Sequence, residues 1–479
     1  MKNLKYNTIL LFIALFALGS CADVELDETP PSLLSPESFF TTESEFQAAL
    51  AGTFLPLYSS WGGFDYAYPL IMTSGAEDVR SDAGIFRNLN SLSANDNDQS
   101  IVAVWQRMYQ TIGNANVIIG NLKNAQGIPE DKLNAIEGQA KFIRAFCYFY
   151  MVRWFGEIQL TTFENQGDIE NLRQSPVADV YASIIENLKD AEAKLPVSFP
   201  ERGRPTQGAA KALLAKVYLT MAGWPIEDTS NYDLARDKAK ELIDAGMYSL
   251  EANFEDLWKQ VNRLTNTEFI FGFYGSIEND GAVSSHMHTA SRHWGNGENG
   301  WGDFHSETRF FDVFPDGLRK DASFTSVFAD GMTFEEAGVE PYIAKYRDAG
   351  GTVRGGLAGE GFNVLLRYAD VLLMYAEAAN MAEGGPSSDA YNAINAVRQR
   401  AGLADLTAGL SQSDFDDAVI AERNWELAFE MNRWFDLVRK KMVVEVNEDV
   451  HSGVTENNRL LPKPGAQLIP GILEQNPGY

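Results

Sequence analysis

Apolar positions recur at helical spacing along most of this chain. Ala210, Leu213, Leu214, Val217, Tyr218 and Met221 fall at i, i+3, i+4, i+7, i+8 and i+11, one face of an α-helix. Gly223 and Pro225 stop it. A second helix follows over about Tyr232–Ala245, with Ala235, Ala239, Leu242 and Ile243 on one face and Gly246 as its stop. The same texture returns later. Leu365, Tyr368, Leu372, Tyr375 and Ala379 share a face, Gly384-Gly385-Pro386 breaks the run, and Ala390, Ile394, Val397 and Ala401 make a partner helix closed by Gly402. Two further pairs are predicted, Ile136–Phe155 with Val177–Leu195 and Asp414–Phe429 with Trp434–Met442.

The recurring small residues let paired helices approach closely, a degenerate tetratricopeptide-like cadence. No such helix buries its apolar stripe alone, so the pairs are expected to stack. The predicted fold class is therefore mostly α, with helix pairs supporting irregular segments. Those segments, about 52–100, 262–360 and 445–479, lack periodicity and are rich in aromatics. Long structureless stretches in a compact protein commonly carry function.

The start of the chain reads as an address. Lys2 and Lys5 precede ten uninterrupted apolar residues, Ile9–Leu18. A bilayer-spanning helix needs about 20, so the run fits a signal peptide. Leu18-Gly19-Ser20-Cys21 is similar to a bacterial lipobox, which makes Cys21 the expected first mature residue and acylation site. Several acyl chains, at about 0.8 kcal/mol per buried CH₂, form a stable anchor. Residues 21–36 then read as an extended acidic tether and 37–479 as the folded domain.

Composition narrows the partners. The chain has 479 residues, 45% hydrophobic, with 39 basic against 66 acidic side chains and a net charge of −27. Such a surface repels phosphate backbones and argues against nucleic acid, and against lipid binding through a basic patch. Two cysteines, Cys21 and Cys147, make neither a disulfide framework nor a four-cysteine metal site.

Several stretches in order carry a family likeness: Ala140-Lys141-Phe142-Ile143-Arg144-Ala145 through Arg153-Trp154-Phe155-Gly156, Gly203-Arg204-Pro205-Thr206 through Ala215, Arg367-Tyr368-Ala369-Asp370 through Ala378, Val397-Arg398-Gln399-Arg400-Ala401-Gly402, and Glu422-Arg423-Asn424-Trp425-Glu426 through Glu430. With Leu461-Pro462-Lys463-Pro464 and the Gln475–Tyr479 end, the chain resembles the SusD/RagB family of outer-membrane lipoproteins over nearly its whole mature length. It departs from the family pattern at Lys463, where an apolar residue is usual, and at Leu468-Ile469-Pro470-Gly471. The resemblance implies a cell-surface protein that captures oligosaccharides, or in some members peptides, and caps a SusC-like TonB-dependent outer-membrane transporter. It implies membrane attachment through the lipid anchor only. It carries over no catalytic residue, no cofactor and no fixed ligand positions.

The aromatics divide by context. Trp105, Trp154, Trp258, Trp425 and Trp434 sit in helical patterns and are expected in the core. Trp61, Trp294 and Trp301 sit beside glycines in the irregular segments. A ring covers the C–H face of a sugar while polar side chains bond its hydroxyls. The candidate ligand residues are Trp61, Asp65, Tyr66, Tyr68 and Asp78 in the first loop and Arg292, Trp294, Asn296, Asn299, Trp301 and Asp303 in the second. The competing role for each is to pin its loop to the scaffold. His286, His288, His293 and His305 cluster nearby, but their spacing matches no zinc pattern, and hydrogen-bonding or stacking roles are expected instead. Gly295–Gly300 spells G-x-G-x-x-G without the preceding strand that a dinucleotide site needs. No hydrolase or phosphate-loop signature occurs, although 66 acidic residues leave a glycosidase carboxylate pair open, as they do a scaffold binding only proteins.

Overall fold

Local capping chemistry fixes where the helices begin. In the computed structural model, which describes residues 39–58, 62–64, 73–81, 83–275, 295, 300–348, 352–353 and 358–479, helix α1 (Glu43–Phe54) starts with a reciprocal box. Thr42 Oγ1 accepts the Glu45 N–H at 3.4 Å, and the Glu45 carboxylate accepts the Thr42 N–H at 2.8 Å. Asp98 caps α2 (Gln99–Asn121) by accepting the Ser100 N–H at 2.9 Å. Helices α3 (Glu130–Phe155), α4 (Val177–Lys194), α5 (Gln207–Met221) and α6 (Asn231–Asp244) follow. From Phe142 to Phe155 every residue of α3 except Arg144 is buried, so α3 is the central rod on which the other helices pack.

The helices pack in order: α1 on α2 and α3, α3 on α4, α4 on α5, α5 on α6. The chain then leaves the stack. It runs through β1 (Phe269–Tyr274), α7 (Leu318–Ser323), β2 (Phe324–Thr325), β3 (Tyr342–Ile343), β4 (Thr352–Val353), β5 (Ala358–Gly359) and β6 (Phe362–Arg367). It re-enters at α8 (Tyr368–Ala382), which lies directly against α6 and carries α9 (Ser388–Arg400) and α10 (Gln412–Glu426) beside it. Helix α11 (Arg433–Arg439) follows. The two helix pairs seen in the sequence are thus neighbours, with residues 245–367 inserted between them.

One boundary differs from the sequence expectation. Leu365 lies on β6, not at the head of a helix, and the helix starts at Tyr368. Strand β6 pairs antiparallel with β1, with Gly272 opposite Val364 and Tyr274 opposite Phe362. A short apolar run buried on both faces satisfies either period, and only the pairing with a strand about ninety residues away decides it. Trp105, Trp154, Trp258 and Trp434 are buried as expected, and Trp425 is half-buried. Lys463, the residue that departs from the family pattern, is also buried. Its Nζ donates to Glu474 O at 2.7 Å and Gln174 Oε1 at 3.1 Å, and burial pushes it down to about 8.

The insertion is locked to the stack by buried charge. Arg367 Nε donates to Glu430 Oε2 at 2.7 Å, and its Nη1 donates to Glu268 Oε1 at 2.8 Å and Glu426 Oε1 at 2.6 Å. Arg319 binds Glu422 at 2.6 Å and Glu426 at 2.9 Å, while Lys345 binds Glu430 at 2.7 Å. Arg400 reaches Glu268 at 3.0 Å and also pairs with Glu426. Beside this network Asp370 sits between Lys216 at 2.9 Å and Arg423 at 2.8 Å, and against the effect of burial the two cations hold its carboxyl at about 2. Glu377 is buried against Arg439 and Lys440, which keep it far below the usual carboxylate range although burial opposes them. Arg367, Asp370, Glu377, Arg400, Glu422, Arg423, Glu426 and Glu430 of this network belong to the motifs that carry the family likeness.

Candidate functional site

The two long irregular segments meet. Arg80 donates its N–H to His305 O at 2.8 Å and accepts the His305 N–H at 3.1 Å, a two-bond antiparallel bridge between residues 73–81 and 300–307. Tyr342 of β3 bridges His305 on its other side. Phe304 is buried with its ring stacked on Phe86 at 6.4 Å, and the Glu307 N–H reaches Glu77 O at 3.3 Å. His305 is itself buried, with Nδ1 2.7 Å from Glu340 Oε2. Nothing in the spacing of residues marks this seam, because a single bridge has no period.

Phe64 anchors the first segment from below. Its ring lies 4.9 Å from Phe273 and 5.8 Å from both Phe146 and Tyr150, and its carbonyl accepts from Asn363 Nδ2 on β6. Gly62 explains part of the glycine content here. It has φ +88°, and a Cβ there would sit 2.7 Å from the Ala103 backbone of α2. This glycine answers to helix packing, which accounts for it without a ligand.

The candidate residues fall into three groups. Trp61, Asp65, Tyr66, Tyr68, Arg292, Trp294, Asn296 and Asn299 lie outside the described residues, as do Cys21 and the histidines at 286, 288 and 293. Trp301 and Asp303 lie on the bridged segment, half-buried, with Trp301 packed against the main core. Asp78 belongs elsewhere. It is 3% exposed, and its Oδ2 accepts the Phe429 N–H at 2.9 Å. Burial pushes its carboxyl up to about 7. Phe429 and Met431 have φ of 68° and 60°, a left-handed turn that side chains disfavour. Asp78 and the Tyr346 hydroxyl, which donates to Phe429 O at 2.8 Å, hold that turn and so place Glu430 against Arg367. Asp78 is a structural carboxyl, and the expectation that it contacts ligand is corrected.

Sequence reading passed over Arg80, Arg87, Glu307 and His451, which line one pocket of about 340 Å³ next to the seam. They come from three distant stretches and form no motif. Glu307 is buried beside Arg309, with its carboxyl raised by that burial. Among the described residues no group of three or more His, Cys, Asp or Glu is arranged to hold a metal ion. Among them, too, no helix is long and apolar enough to cross a membrane.

The architecture defines a class: a stack of helix pairs, interrupted by one long insertion, that displays a looped face. Sequence models of two families match, one described as SusD family over residues 334–464 and one described as starch-binding associating with outer membrane over 26–219. The SusD-like protein P2 of Formosa agariphila is 31% identical over 520 aligned positions, covering 100% of both chains. A SusD superfamily protein from Parabacteroides distasonis is 26% identical with a TM-score of 0.80, covering 91% of this chain and 99% of that one. Surface glycan-binding protein A of Bacteroides thetaiotaomicron, solved with laminarihexaose, shares the fold at a TM-score of 0.76 and 20% identity, over 91% of this chain and 100% of that one. The chain belongs to the SusD family.

Proposed function

We propose that this protein is a surface glycan-binding lipoprotein. It is acylated at Cys21, captures an oligosaccharide on its looped face and hands it uncleaved to a TonB-dependent outer-membrane transporter. The observation that carries the reading is full-length membership of a family in which a structural neighbour holds laminarihexaose. The outer-membrane association in the family description, the lipobox and the short acidic tether support the anchor. The convergence of residues 73–81 and 300–307 supports a single binding face, because it brings the flanks of both aromatic loops to one seam. On this reading Trp61, Tyr66, Tyr68, Trp294 and Trp301 offer rings, and Asp65, Arg292, Asn296, Asn299 and Asp303 offer polar contacts.

Titration of the purified full-length protein in detergent against a glycan panel that includes laminarin tests the reading. Micromolar-class binding, about −8 kcal/mol or weaker, is expected for one glycan class. Release of new reducing ends that disappears on mutating one carboxylate would make the protein a hydrolase instead. Mild-detergent capture of a tagged copy is expected to bring down a large β-barrel protein, and recovery of the lipoprotein alone across several detergents would count against the transporter.

A further inference from the structure

Acidic side chains outnumber basic ones 66 to 39 in this chain, and many of the basic ones among the described residues, such as Lys216, Arg319, Arg367, Arg423 and Arg439, are spent in ion pairs. The pocket beside the seam is an exception. Arg80, Arg87 and His451 line it together with Ser81, Ser91 and Glu307. Arg87 is exposed and, among the described residues, forms no ion pair. Arg80 has only a long contact to Glu340, at 3.6 Å. Arg309 adds a third guanidinium close by, held to Glu307 and to Val446 O at 2.7 Å. Among the described residues, the carboxylates beside the pocket are already engaged, Glu307 by Arg309 and Glu340 by Arg80 and by His305 Nδ1 at 2.7 Å. Three guanidiniums therefore face two carboxylates among the described residues here, which leaves positive charge over. His451 registers it, since burial first, then Arg309 and Arg80, hold its imidazole below the ordinary value.

We propose that this pocket receives an anionic substituent of the glycan, a carboxylate or a sulfate ester, with Arg80 and Arg87 as its cationic walls. The proposal rests on the glycan-binding reading above and deepens it, since it assigns the ligand to acidic polysaccharides. A guanidinium presents a fork of donors that matches the oxygens of either anion. The cavity, about 340 Å³, lies within the range of small-molecule sites. It adjoins the segment that carries Trp301 and Asp303, so a chain lying across the looped face presents its substituents here. In a protein of net charge −27 the background field repels polyanions, so a local surplus of guanidinium charge, Arg87 unpaired among the described residues and Arg80 only loosely paired, is what such a ligand requires.

Native gels containing polygalacturonate, κ-carrageenan or laminarin separate the cases. They are run with the wild-type full-length protein, with the Arg80→Ala, Arg87→Ala double variant and with Arg87→Lys. Retardation by an acidic polymer is expected, weakened about tenfold or more in the double variant and less in Arg87→Lys. Polygalacturonate alone would identify a carboxylate, and κ-carrageenan alone a sulfate. Retardation by laminarin only, unchanged in the double variant, leaves the glycan reading intact and overturns this one. A second measurement works without any polysaccharide: sulfate is titrated against chloride at equal ionic strength while the His451 ring is followed by NMR. A sulfate-specific shift of His451 that the double variant lacks supports the pocket even if every polymer fails and the glycan reading falls. Equal responses to sulfate and chloride, with no acidic polymer retarding the wild type more strongly than the double variant, overturn the pocket.

Discussion

Replacing Arg367 with methionine tests whether the charged family motifs serve the fold. The guanidinium is 1% exposed and touches Glu268, Glu426 and Glu430, all within 3% of full burial. Breaking one buried pair costs about 3–5 kcal/mol, because the abandoned charge stays out of water. Three independent breaks would cost roughly three times as much. Each glutamate keeps a second cation, however. Glu268 retains Arg400, Glu426 retains Arg400 and Arg319, and Glu430 retains Lys345. The expected loss is therefore that of a single break, about 3–5 kcal/mol, which is a large part of a typical 5–15 kcal/mol total. Urea unfolding followed by tryptophan fluorescence reads it as a lower midpoint at unchanged slope. Arg367→Lys is expected to recover little, since an ammonium cannot fork among three carboxylates. Adding Glu430→Gln to Arg367→Met is expected to cost less than Glu430→Gln alone, the coupling of neighbours. A loss below about 1 kcal/mol for Arg367→Met would refute the argument that this network holds the insertion to the helix stack.

Asp78→Ala strands the buried Phe429 N–H and is expected to cost about 1–3 kcal/mol in the same unfolding assay, with ligand affinity changed only as far as stability is lost. Acid also tests the network: Asp370 titrates at about 2 against an ordinary 3.8, so its contribution is complete above pH 4 and is lost as pH falls toward 2. That contribution is about 2–3 kcal/mol, read as urea midpoints between pH 5 and pH 2. Trp301→Ala is expected to lower the melting temperature, because the ring packs on the core; calorimetric titration of the same variant shows whether the ring also meets sugar, in which case binding falls by about 2 kcal/mol. Cys21→Ala is expected to leave the protein off the outer membrane on fractionation, and normal membrane retention would remove the anchor.

The sequence by itself determined what is local. Helical faces repeat every few residues, and stops such as Gly223, Gly246 and Gly402 act within one turn, so the helix pairs were legible without any structure. The order of the motifs likewise pointed to the family, because a pattern of residues along the chain is itself sequence. What the motif charges do was not legible. Arg367, Glu268, Glu426 and Glu430 come together only when the insertion folds back on the stack, and nothing in their spacing marks them as mutually buried. The same holds for Asp78, a loop acid by its neighbours in the chain and a buried support for a strained turn in space. Gly62, one of the glycines beside the candidate rings, is there to make room for α2. Contacts between residues far apart in the chain have no period, so the β1–β6 pair, the Arg80–His305 bridge and the arginine-lined pocket existed only once the tertiary structure had closed them.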